Sequence, residues 1–248
     1  MSENQSEYQI LSEEVQAHYS FKIIVIGDSE VGKSSLTLRG IKGSYKDFYT
    51  PTIGFEFLSF NIKIKDQIVK LQIWDTCGQE VYRSLISSFY RNSSLAIIVY
   101  SIDNQESFDN LDSWLDEIKS QTHPNLKIFL IGNKADLEDQ RVVKTKDAEE
   151  LAKDHNIDLF LETSAKTGFN TQEVFVKAAQ MLLDCFTKYE SEGRESNMSE
   201  KSSSTISGQE DNDPEFEKDN DDKTRCKKCC WNNKYLYLIN EILKIIDI

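Results

Sequence analysis

The sequence predicts an α/β domain of three layers, a six-stranded and mostly parallel sheet with helices on both faces. Two observations carry this reading. Short runs rich in β-branched residues alternate with stretches whose apolar residues recur at helical spacing, and strands separated by helices pair in parallel. Each polar motif also begins where an apolar run ends, which is where open α/β sheets hold their ligands.

The elements follow in chain order. Phe21 to Ile26 (FKIIVI) is apolar almost throughout, as a strand covered on both faces requires, and it stops at Gly27. Lys33 to Ile41 reads as a helix whose N-terminus faces that stop. Phe57 to Lys65 and Gln67 to Trp74 form a strand pair around a tight turn at Asp66. Leu95 to Tyr100, Lys127 to Ile131 and Asp158 to Leu161 are further buried strands. Between them Phe108, Leu111, Leu115 and Ile118 share a helical face, as do Val174, Ala178, Leu182 and Cys185. Asn170 and Glu173 offer a capping box before the last helix. The chain has no internal repeat.

Composition divides the chain into four parts. Residues 1–18 form a polar, acidic N-terminal extension with no secretory pattern. Residues 19–188 carry the folded domain, and residues 189–225 an acidic linker. From Ser191 to Asp222 eleven acids stand against three bases, with too little apolar surface to bury, so disorder is expected. Residues 226–248 begin with Cys226, Cys229 and Cys230 among basic residues and end in an amphipathic tail. The net charge of −13 argues against a nucleic-acid surface. No apolar run is long enough to span a bilayer. Five cysteines are too few and too clustered for a disulfide framework, which points to a reducing, cytoplasmic setting.

The run Gly27-Asp28-Ser29-Glu30-Val31-Gly32-Lys33-Ser34 fits G-x-x-x-x-G-K-[ST], a loop whose backbone N–H groups cradle phosphates. Lys33 is placed to reach the β- and γ-phosphates, the Ser34 hydroxyl to ligate Mg²⁺, and Ser35 follows at the helix start. Asn133-Lys134-Ala135-Asp136 supplies the base: the Asp136 carboxylate can accept from N1–H and the 2-amino group of guanine. Adenine presents an acceptor at N1 and lacks that amino group, and a polar site rejects an unpaired analogue by roughly 10⁴-fold or more. The two motifs together imply a site for GTP and GDP. Asp75, closing a buried strand, is a candidate to hold the metal through water, and Gly78 lets backbone approach the γ-phosphate. Gln79 can donate and accept at once, as orienting an attacking water requires. Thr52 is a candidate second metal ligand, recruited when a γ-phosphate draws its segment in.

Taken in order, these motifs resemble those of the Ras-superfamily small GTPases, and within them the Rabs, over roughly residues 18 to 188. The resemblance implies a P-loop GTPase fold, GTP hydrolysis with Mg²⁺, and a switch recruiting effectors in vesicle-mediated protein transport. A guanine-nucleotide-gated scaffold that does not hydrolyse is the alternative. It further implies that Tyr45 stacks on the guanine and that Ser164, Ala165 and Lys166 complete the base pocket. Rab-like segments include Ile53-Gly54-Phe55-Glu56-Phe57, Lys70-Leu71-Gln72-Ile73-Trp74, Tyr82-Arg83-Ser84-Leu85 and Phe89-Tyr90-Arg91. The trio Phe57, Trp74 and Phe89 resembles the Rab effector surface, with core packing as the other reading of each ring. The run from Arg83 to Ile86, with Tyr90 to Ser93, resembles a Golgi-associated branch.

Partners implied by the resemblance are an exchange factor, an activating protein, effectors, an escort protein and a GDP dissociation inhibitor. A lipidated chain would sit on the cytosolic face of Golgi or endosomal membranes. Cys77 stands where the family usually has Ala, and reads either as a redox handle beside the triphosphate or, the favoured reading, as a small apolar residue. Rabs usually finish near paired, prenylated cysteines; here Cys229 and Cys230 are followed by eighteen residues. That extension fits an interfacial amphipathic helix and equally the translation of AT-rich sequence.

Overall fold

A computed structural model describes residues 8–12, 15–45, 52, 54–77 and 90–200. Residues 1–182 and 183–248 form two compact units. The first is built on a sheet of seven strands: β1 (Tyr8–Leu11), β2 (Tyr19–Ile26), β3 (Phe55–Ile64), β4 (Gln67–Thr76), β5 (Leu95–Ser101), β6 (Lys127–Asn133) and β7 (Leu159–Glu162). Their spatial order is β1-β3-β4-β2-β5-β6-β7. The pairs β4/β2, β2/β5, β5/β6 and β6/β7 are parallel, and β1/β3 and β3/β4 antiparallel. The helices are α1 (Lys33–Lys42), α2 (Gln105–Asp109), α3 (Leu111–Gln121), α4 (Thr145–Asp154) and α5 (Thr171–Glu200), with a 3₁₀ segment at Ala135–Gln140.

The three layers follow from the strand sequences. In β2, Ile24 and Ile26 join a core cluster with Ala96, Ile98, Leu130 and, from α3, Leu111, Trp114, Leu115 and Ile118. Their neighbours Ile23 and Val25 point oppositely by strand alternation and are equally buried. On that second face the Phe60 ring lies 6.1 Å from Phe175 of α5. A Cβ at Gly40 of α1 would lie 2.5 Å from the same ring, so only glycine lets α1 approach α5 this closely. Two covered faces explain why the central strands are apolar without alternation.

The structure departs from the sequence reading at five points. The sheet has seven strands, not six, because the extension contributes β1, whose Tyr8 to Leu11 pair with Ile64 to Asn61 of β3. The Phe108–Ile118 periodicity is split at Asn110 into α2 and α3. The helix α4 carries only Ala148, Leu151 and Ala152 as apolar residues and was not legible as a periodic pattern. The capping box does not form: Asn170 has a left-handed φ of 55°, its amide donates to the Glu162 carbonyl at 2.9 Å, and Glu173 pairs with Lys177. The last helix also continues through Glu200, past the expected boundary at 188. Residues 201–248, with Cys226, Cys229, Cys230 and the tail, lie outside the described residues. Among the described residues no helix is long and apolar enough to cross a membrane.

Candidate nucleotide site

The site is assembled at the carboxyl ends of β2, β4, β5, β6 and β7, where the sheet order reverses around β2. The chain leaves β2 at Gly27, with φ of 134°, where a Cβ would fall 2.1 Å from the Val99 carbonyl oxygen. Any side chain there would force β2 and β5 apart. Glu30 and Gly32 also take left-handed φ, 64° and 90°, curling the loop before α1 begins. The first turn of α1 contains no acid, whereas Arg39 and Lys42 occupy its last turn, so the field of the helix favours an anion at its N-terminus.

Lys33 is buried beneath this loop, its ammonium donating to the carbonyls of Gly27 at 2.9 Å and Asp28 at 2.6 Å. Burial holds its pKa down to about 8, with the Asp75 and Asp28 carboxylates pulling it back up. Val31 is buried, Ser29 and Ser35 half-buried, and Glu30 exposed. The Ser34 hydroxyl meets the Thr52 hydroxyl at 2.8 Å, joining the two proposed metal ligands.

Asp75 is fully buried, and neither carboxylate oxygen has a hydrogen-bond partner. Burial pushes its pKa up to about 6; the nearby Ser34 hydroxyl and Lys33 ammonium ease the ionised form without completing a bond, and Glu56 opposes it. Two idle carboxylate oxygens beside a hydroxyl pair are hard oxygen donors suited to Mg²⁺. The residues present fit the metal.

The base motifs converge from β6 and β7. Asp136 accepts a short hydrogen bond from the Ser164 hydroxyl, which also accepts from the Thr167 amide at 3.1 Å. The Ala135 amide donates to the Thr163 carbonyl at 2.9 Å, tying the two base loops together. Asn133 lies between the loops. Its amide donates to the Val31 carbonyl at 2.9 Å and its oxygen accepts from the Thr163 hydroxyl at 3.2 Å, so it staples the base loops to the phosphate loop. Lys134 adopts a left-handed φ of 64°, its ammonium 3.5 Å from Asp103. Ala165 is buried, Lys166 exposed and Tyr45 half-buried. Gly78 and Gln79 lie outside the described residues, as does Phe89.

Several contributors were missed in the sequence. Arg141 makes paired bonds to Glu162 at 2.8 and 2.9 Å and also grips Glu138, clamping the segment after Asp136 to the strand before Ser164. Asp28 accepts from Asn110 and Trp114 of a distant helix. Only the oddity of an acid inside a phosphate loop could have signalled this contact. Of the aromatic trio, Trp74 is buried, with Phe55 and Phe57 centred 5.3 and 5.2 Å from its ring and the Lys22 ammonium 5.2 Å away. Phe55 and Phe57 are exposed. Trp74 therefore acts as the floor, and the two phenylalanines form the surface.

A phosphate loop at a helix N-terminus, an orphaned acid beside it and a carboxylate locked for base reading define a guanine-nucleotide-binding P-loop domain. Comparison with known families matches residues 22–184 to the Ras family, and the chain belongs to that family. It is a small GTP-binding switch protein of the Ras superfamily.

Proposed function

We propose that the chain is a Rab-type small GTPase that hydrolyses GTP to GDP and phosphate and recruits effectors in vesicle-mediated transport. The observation that supports this best is the exposed Phe55–Phe57 pair on the Trp74 floor, adjoining the nucleotide site through β3 and β4. Phe55 pairs with Thr76 and Glu56 with Asp75, so this surface is one residue from Asp75, the acid proposed to hold the metal.

The roles divide by residue. The phosphate-loop amides and Lys33 bind and orient the phosphates, and Asp136, oriented by Ser164, selects guanine. Ser34, Thr52 and Asp75 would hold Mg²⁺. The metal, when bound, neutralises charge on the β- and γ-phosphates. Gln79 orients the attacking water. Movement of the Thr52 segment with the γ-phosphate reports the nucleotide state to the phenylalanine surface. An exchange factor, an activating protein and effectors are the partners of such a cycle.

The membrane half of the reading rests on Cys229 and Cys230 beside Lys227 and Lys228. One prenyl chain gives marginal membrane binding, whereas two give stable attachment. Intact-mass measurement of the chain ending at Cys230, expressed in prenylation-competent cells, should show two prenyl groups, and the form should sediment with endomembranes. A shortened chain without prenyl groups would contradict this account of the anchor.

A further inference from the structure

The phosphate loop carries an acid, Asp28, beside the place a polyanion binds. A carboxylate left free there would repel phosphates and attract the nearest cation. A neighbouring cation is Lys33, whose ammonium already sits 2.6 Å from the Asp28 carbonyl oxygen. The structure turns the carboxylate away. Asp28 Oδ2 accepts from Asn110 Nδ2 at 2.7 Å, and Oδ1 accepts from Trp114 Nε1 at 2.8 Å. Asn110 and Trp114 are four residues apart, hence on one face of α3, and they engage both oxygens at once.

Asn110 stands at the start of α3 with αR backbone angles. It occupies the N-cap position of α3, where an asparagine oxygen usually accepts from the first-turn amides. Here it makes no such capping bond. Its amide nitrogen reaches a residue 82 positions away in sequence. Trp114, otherwise buried in the core, spends its one polar group on the same carboxylate.

We propose that Asn110 and Trp114 are positioning residues for nucleotide binding: they hold the Asp28 carboxylate off Lys33, leaving the ammonium for the phosphates. This rests on the reading of the pocket as a guanine-nucleotide site and adds α3 as the element that sets its phosphate affinity.

The test is the dissociation constants for GDP and GTP in four purified chains: wild type, Asn110→Ala, Asp28→Asn with Asn110→Ala, and Asp28→Asn with Asn110→Asp. Thermal unfolding of each confirms the fold. Asn110→Ala should weaken both nucleotides by roughly tenfold, the worth of a hydrogen bond to a charged group. Adding Asp28→Asn should recover most of that loss, because a neutral amide no longer competes for Lys33. A general packing defect would not be repaired by a second substitution. The exchanged pair, Asp28→Asn with Asn110→Asp, restores a donor facing a carboxylate and should also bind near the wild-type level; it keeps the proposal testable if Asn110→Ala does not fold. Unchanged affinity in Asn110→Ala, or double variants no better than that single one, would overturn the staple. A wild-type chain that binds neither nucleotide would overturn the pocket reading instead.

Discussion

Asp75 shows how a residue that looks unfavourable alone becomes intelligible in the site. Its carboxylate is buried with no donor to either oxygen, an arrangement that costs stability unless a cation completes it. The consequence for pH has a definite sign. Burial lifts the folded pKa from 3.8 to about 6, so the folded state prefers the protonated acid. That contribution is fully present below the unfolded pKa and is lost as pH rises through the folded one. With Mg²⁺ chelated, stability should therefore fall between pH 3.8 and about 6, by at most roughly 3 kcal/mol. Asp75→Asn, which has no charge to bury, should remove this decline. Urea unfolding of both chains across the range checks it, and parallel curves would contradict it. At this scale the phosphate loop, Asp75, Thr52 and Asp136 were legible in the sequence, because spacing and donor chemistry alone constrain them. Asn133 was legible as part of the motif, whereas its tie to the phosphate loop was not. Its bond to the Val31 carbonyl spans 102 residues, and nothing local in a sequence announces such a tie.

Elements were legible where burial imposes a pattern and illegible where it does not. Strands β2, β5 and β6 lie between two helical layers, so their apolar runs were unmistakable. The helix α4 touches the core through small residues, Ala148 and Ala152, and its Lys, Asp and Glu hid it among charged loops. Strand β1 is four residues long and half-buried, within an acidic segment, so neither length nor alternation marked it. Its effect is physical all the same. By pairing with Asn61–Ile64 it covers four of the ten residues along the outer edge of β3, and an open edge invites pairing with other chains. Removing residues 1–11 should lower the unfolding midpoint, by roughly 2–4 °C for each kcal/mol lost. Light scattering should show weak self-association, while nucleotide affinity stays within about twofold, since β1 lies on the edge of the sheet away from the site. An unchanged midpoint would show that the pairing contributes nothing.

At the level of the whole molecule, the switch reading requires the rigid and the responsive parts to be distinct. The base loops are clamped by Arg141, Glu162, Ser164 and Asn133, and the phosphate loop is fixed by Gly27 and Asp28. Thr52 meets this frame at its hydroxyl contact with Ser34. In the switch reading a γ-phosphate draws the Thr52 segment in against the frame. Whether the chain completes the cycle by hydrolysis is the claim on which the proposed function turns. The direct measurement is single-turnover conversion of bound GTP, with Mg²⁺ present, in the full-length chain and in Gln79→Leu. Wild type should convert its GTP slowly, on the order of 10⁻⁴ s⁻¹, and Gln79→Leu should retain GTP binding while the rate falls by at least about tenfold. GTP recovered unconverted from the wild-type chain after several hours, or equal rates in the two chains, would contradict the account and leave a nucleotide-gated scaffold in its place.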